Sequence, residues 1–66
     1  MRLTLKQARL LYGATQVEMA AQMGVSRDVY RRIEENPGSA TIDQAIKLSK
    51  ILELSVSNLF FGENST

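Results

Sequence analysis

Apolar and polar positions along the chain fall into short helical periods, each set between a cap and a stop. Leu5, Ala8 and Tyr12 recur at helical spacing and Gly13 follows them, which predicts a helix over residues 2–12 that ends where only glycine turns left-handed cheaply. Thr15-Gln16-Val17-Glu18 has the form of a capping box. It predicts a second helix over 16–22, with Val17, Met19, Ala20 and Met23 as its apolar positions and Gly24 as its stop. Ser26 is the next N-cap, for a helix over 27–34 whose inward residues are Tyr30 and Ile33. Pro37-Gly38 breaks the chain into a polar loop over 35–40. Thr41-Ile42-Asp43-Gln44 is a second capping box and opens a helix over 42–52, where Ile42, Ala45, Ile46, Leu48, Ile51 and Leu52 form a broad apolar face. Ser55 caps a last helix over 56–61, closed by Gly62, and residues 63–66 read as a frayed tail. No stretch alternates with period two. The fold predicted is all-α: a compact bundle of five short helices in one domain over 1–62.

Composition narrows the classes. With 66 residues and no cysteine, stability must come from one dense core or from oligomerisation. A hydrophobic content of 44% argues against disorder. No apolar run approaches the roughly 20 residues that span a bilayer, and no apolar segment follows Met1-Arg2-Leu3-Thr4, so neither a membrane span nor a signal peptide is expected. The lack of cysteine fits a reducing cytoplasm. There is no histidine, the carboxylates form no pair suited to a cleft, and the glycines sit at caps and turns. These absences argue against an enzyme, and neither a metal site, a cofactor nor a small-molecule effector is expected.

The net charge of +1 hides a division. Residues 1–33 carry six bases against two acids, whereas residues 34–66 carry two bases against five acids. Such asymmetry suits a protein with one face turned to a polyanion. The second predicted helix, its turn and the third helix form the unit with most information. Ala20 stands where two helices must approach closely, Gly24 lies in a tight turn, and Met19, Met23, Val25, Tyr30 and Ile33 fall where the helices would share a core. That spacing matches a helix-turn-helix, whose second helix lies in the major groove of DNA.

The stretch TQVEMAAQMGVSRDVYRRIE resembles the helix-turn-helix domain of phage repressor and Cro proteins, the Xre family. The resemblance runs from about Leu5 to Phe60 and includes the closing LELSVSNLF, so it implies the five-helix layout of lambda-repressor-like domains. It further implies a prokaryotic or phage-encoded, sequence-specific regulator of transcription acting as a homodimer on a palindromic operator in the cytoplasm, at the nucleoid; a repressor is the reading favoured, and the residues leave activation open. By position, Gln16 at the opening of the second helix implies a phosphate contact, in keeping with the attraction of anions to helix N-termini. Arg27, Asp28, Val29 and Arg32 occupy the base-reading positions, and Arg31 lies on the flank facing phosphate. Arg9 and Glu34 occupy the positions of a structural ion pair between the first and third helices.

The chemistry of each reader can be stated. Arginine forks onto guanine O6 and N7, the methyls of Val29 suit a thymine methyl, and Asp28 either accepts from cytosine N4 or orients a neighbouring arginine. Thr15 and Ser26 are caps first, and a cap can also touch phosphate. The loop after the third helix carries no lysine or arginine, which leaves Asn36, Ser39 and backbone N–H groups for any phosphate contact there.

Two residues depart from the family pattern. Tyr30 fills an inward position usually aliphatic, so its hydroxyl needs a partner. Glu53 stands where glycine is usual, at a cost of roughly 1 kcal/mol if that site is left-handed. Phe60 and Phe61 are adjacent and cannot both enter one small core. Phe61, with Leu54 and Val56, is read as a dimer contact. A second reading of the chain is an antitoxin or anti-regulator module whose main partner is another protein.

Overall fold

Local signals place the helices. The computed structural model describes residues 3–55 and residue 59, and among these it contains four α-helices, one 3₁₀ turn and no strand. Helix α1 spans Leu5–Tyr12, α2 Gln16–Met23, α3 Arg27–Glu35 and α4 Ile42–Leu52; the 3₁₀ turn is Pro37–Ser39. Each α-helix begins at a hydroxyl residue in extended conformation whose side chain accepts the N3 backbone N–H. Both expected capping boxes are present, Thr15 with Glu18 and Thr41 with Gln44.

A third box, Thr4 with Gln7, moves the start of α1 to Leu5 from the expected residue 2: the Thr4 hydroxyl accepts from Gln7 N–H, and the Gln7 side chain accepts from Thr4 N–H. The loop after α3 is also more ordered than expected, because Pro37 supplies the fixed φ that opens a 3₁₀ turn. The proposed fifth helix and tail fall almost wholly outside the described residues. Leu59 is described; it is buried in the core and its N–H donates to Ser55 C=O at 3.1 Å.

The helix ends explain the tight connections. Gly24 has φ +75°, its N–H donates to Ala21 C=O, and Val25 N–H reaches back to Ala20 C=O. This paired closure is a Schellman end, and it reverses the chain within the three residues between α2 and α3. A Cβ at Gly24 would meet nothing within 4 Å, so the need for glycine here is purely conformational. At the end of α4 the left-handed position is held by Glu53 at φ +57°, the cost anticipated above. Its acidic side chain also lies at the negative end of the helix dipole. Glu53→Gly is therefore expected to raise Tm by a few degrees, roughly 0.5–1 kcal/mol after the added freedom of the unfolded glycine is subtracted. Thermal unfolding followed by circular dichroism reads the change, and an unchanged or lower Tm would contradict the reading of a strained cap.

The core collects one face of every helix: Leu5 and Ala8 from α1, Met19, Ala20 and Met23 from α2, Tyr30 and Ile33 from α3, Leu48 and Leu52 from α4, with Leu59. Helices α2 and α3 pack on each other most extensively, and Ala20 is buried. Several apolar residues expected to face inward do not. Val17 is 58% exposed, Ile42 77% and Ile46 41%, and Tyr12 is exposed as well. Val17 and Ile42 sit in the first turns of α2 and α4, and helical periodicity alone does not bury them. Helix α4 thus turns a narrower face to the core than its sequence suggested. Among the described residues, no helix is long and apolar enough to cross a membrane.

Candidate nucleic-acid interface

At about 3.6 residues per turn, α3 divides cleanly into two arcs. Tyr30 and Ile33 are buried, and Val29 and Glu34 are half-buried beside them. On the other side Arg27, Asp28, Arg31, Arg32 and Glu35 are all exposed. Four of the expected contact residues thus share one outward surface. Val29 is the exception: it packs against the core and is not the freely exposed apolar group expected on that surface. Arg31 already has a neighbour, since its Nη1 lies 2.8 Å from the Glu35 carboxylate one turn on. Both groups are exposed, so the pair is weak and open to exchange for another anion.

The N-terminus of α2 lies beside the start of α3. An open groove there is lined by Arg9 and Leu10 of α1, Thr15, Gln16 and Val17 at the start of α2, and Arg27 of α3. The Thr15 hydroxyl accepts from Glu18 N–H and Ser26 from Val29 N–H, which leaves each hydroxyl its own proton to donate. Asn36, which precedes the 3₁₀ turn beyond α3, and Ser39, which ends it, are both exposed. There the Ser39 hydroxyl donates to Asn36 C=O at 2.8 Å, so the Asn36 side chain is the more available donor of the two.

Behind this surface, Glu34 gathers three donors from three helices. Arg9 Nε of α1 donates to Oε2 at 2.6 Å, Tyr30 Oη of α3 donates to Oε2 at 2.7 Å, and Gln16 Nε2 of α2 donates to Oε1 at 3.0 Å. Arg9 Nη1 also donates to Ala14 C=O at 2.9 Å, which ties the α1–α2 turn to the same cluster. The ion-paired side chains retain only 8% and 6% of their exposure. The Tyr30 hydroxyl therefore has its partner. Sequence reasoning paired Arg9 with Glu34 but missed the convergence of Tyr30 and Gln16. The four-residue spacing of Tyr30 and Glu34 was the available signal for one of these; nothing local signals the other. A further unanticipated link is Lys47 Nζ, which donates to Met23 C=O at 3.3 Å and holds α4 to the exposed carbonyl end of α2.

The cluster sets the ionisation of its members. Burial alone would raise the Glu34 carboxyl, but the hydrogen bonds from Arg9, Tyr30 and Gln16, with the charge of Arg9, outweigh it and hold the group below the usual carboxylate range. The bond to Glu34 raises the Arg9 guanidinium further above its already high value. Burial, and then the bond to the carboxylate, push the Tyr30 hydroxyl well up. Ionised Glu34 thus stabilises the fold fully above the ordinary carboxylate pKa, and this contribution is lost as pH falls through the lower folded value. Neutral Tyr30 contributes fully below about pH 10, and its contribution is lost as pH rises from there toward the higher folded value.

Tyr30→Phe is accordingly expected to cost about 1.5–3 kcal/mol near neutrality, the usual range for a hydrogen bond to a charged group. The gap between the two proteins should narrow toward both acid and alkali, read by denaturant unfolding across pH. A gap that does not vary with pH would show that hydroxyl and carboxylate are not coupled. Among the described residues no group of His, Cys, Asp or Glu gathers as metal ligands would.

Comparison with known proteins places this geometry. A family profile described as Helix-turn-helix matches residues 5–59. A Pyrococcus furiosus protein carrying the name of a candidate HTH-type transcriptional regulatory protein is 39% identical over 49 residues, which is 74% of this chain. The chain covers 16% of that relative's length. No solved structure matches it. With α2, the Gly24 turn and α3 arranged as described and the match extending over most of its length, the chain belongs to the Xre-type helix-turn-helix family.

Proposed function

We propose that the chain is a sequence-specific DNA-binding regulator of transcription that lays α3 in the major groove. The observation that carries this reading is the outward arc of α3, where Arg27, Asp28, Arg31 and Arg32 are exposed together beside the N-terminus of α2. Arg27 and Arg32 read guanine edges, and Asp28 accepts from a cytosine amino group or steers one of the arginines. Gln16, Thr15 and Ser26 meet phosphates around the α2 and α3 N-termini, Arg31 joins them by leaving Glu35, and Asn36 and Ser39 flank the same backbone. Val29 adds a methyl contact only with the part of its side chain that the core leaves open.

The finer reading is a homodimeric repressor on a palindromic operator, with half-sites about 34 Å apart. Leu54 supports a self-association surface, because it rims an apolar groove with Leu3, Leu11, Tyr12 and Leu52. Val56 and Phe61, the other residues assigned to that surface, lie outside the described residues. Occupancy of a promoter then represses by blocking polymerase. Gel shifts of the protein on specific and random DNA at two salt concentrations test the reading. Affinity should fall with salt on both DNAs, and a sequence preference should persist at the higher salt. Equal affinity for all sequences would overturn it.

The exposed Ile42 and Ile46, one turn apart on α4, favour a second reading, in which the chain is an antitoxin or anti-regulator module that binds another protein. A stoichiometric protein partner, copurifying in place of any DNA preference, would support that reading over the first.

A further inference from the structure

We propose that Glu34 is a positioning residue for DNA binding, holding the Gln16 side-chain amide in one orientation through the hydrogen bond between Gln16 Nε2 and Glu34 Oε1. This rests on the reading of Gln16 as a phosphate contact. The buried pair of Arg9 and Glu34 then does more than join α1 to α3: its carboxylate reaches the DNA face through a third helix.

The argument is one of donors and acceptors. An ionised carboxylate only accepts, so it can take only the NH₂ end of the Gln16 amide. One N–H points inward to Glu34. The second N–H and the carbonyl oxygen remain to face the groove lined by Thr15 and Arg27. The acceptor is itself fixed. Arg9 Nε and Tyr30 Oη both hold Oε2, at 2.6 and 2.7 Å, and so leave Oε1 aimed at Gln16. Gln16 is half-buried at the first position of α2, where the first two backbone N–H groups have no partner within the helix. A free glutamine there would have to be ordered when DNA arrives, and immobilising such a side chain costs about 0.5–1.5 kcal/mol. Held by Glu34, it is ordered beforehand.

Two measurements test this. In the DNA-free protein, ¹⁵N relaxation of the Gln16 side-chain NH₂ should give an order parameter near the rigid-backbone value of about 0.85; a value under about 0.6 would overturn the proposal. This reading requires neither DNA nor a variant. The second is a double-mutant cycle on DNA affinity with Q16A and E34Q, at a temperature where each variant is folded by circular dichroism. E34Q should weaken binding roughly 3- to 10-fold in the native background, the range expected for lost ordering, and about twofold at most in the Q16A background. The cycle cancels the added positive charge and any general loosening, since these act in both backgrounds. Equal losses in the two backgrounds would reduce Glu34 to a structural ion pair and overturn the proposal. If the native protein shows no DNA affinity, the reading of the function fails, while the relaxation measurement still decides whether Gln16 is held.

Discussion

Glu34→Ala is expected to remove about 3–5 kcal/mol of stability, the penalty for leaving a buried charge without its partner. Three donors lose their acceptor at once, and the Arg9 side chain, only 8% exposed, is left as an unpaired cation. Domains of this size have total stabilities toward the low end of about 5–15 kcal/mol, so the variant should melt on the order of 15–30 °C lower or show no cooperative transition. Circular dichroism melts read this directly. Glu34→Gln keeps the volume and one acceptor oxygen, and should fall between the native protein and the alanine variant. A loss below about 1 kcal/mol for the alanine variant would place the cluster among surface ion pairs, which contribute little.

Arg32→Ala is expected to weaken binding to the preferred DNA site by about 1–3 kcal/mol, on the order of 10- to 100-fold, with a much smaller loss on random DNA. The difference follows from the role of the side chain. A guanidinium forked onto a guanine edge discriminates between bases, whereas one on phosphate does not. Arg32 is exposed on the same arc as Arg27 and Asp28, and nothing in the free protein engages it in an ion pair among the described residues. Arg31 provides the internal comparison. It is paired with Glu35 in the free protein, and Arg31→Ala should weaken binding nearly equally on all sequences and reduce the salt slope by about one. Titrations of both variants on both DNAs separate the roles, and equal losses for Arg32→Ala on the two DNAs would assign it to phosphate.

What was legible in the sequence was local. The capping boxes at Thr15 and Thr41, the Ser26 cap and the stop at Gly24 each act within one helical turn, and they placed α2, α3 and α4 to within a residue. The left-handed Glu53 was legible through family resemblance instead, since it stands where glycine is usual. The Thr4–Gln7 box is just as local and was passed over, which began α1 too early. Direction was harder. Val17, Ile42 and Ile46 sit at apolar spacing, yet in helices of 8 and 11 residues spacing alone does not say which neighbours reach far enough to cover them. The same limit explains Val29, assigned to the outward arc but packed against the core.

The candidate site was legible as a row of residue types on α3, because one helix face needs no tertiary information. The support behind it was not. Gln16 and Glu34 are 18 positions apart, and only the packing of α2 on α3 brings them together. Arg9 and Glu34, 25 apart, were paired through family resemblance, while Tyr30 stood out as a polar group in need of a partner without indicating which.

The central claim is that the outward face of α3 reads a defined DNA sequence. Selection of bound DNA from a random pool by the native protein tests it most directly. The account predicts recovery of one enriched half-site containing guanines opposite Arg27 and Arg32, repeated as an inverted pair about one helical turn apart. Recovery of DNA with no enriched sequence would contradict it.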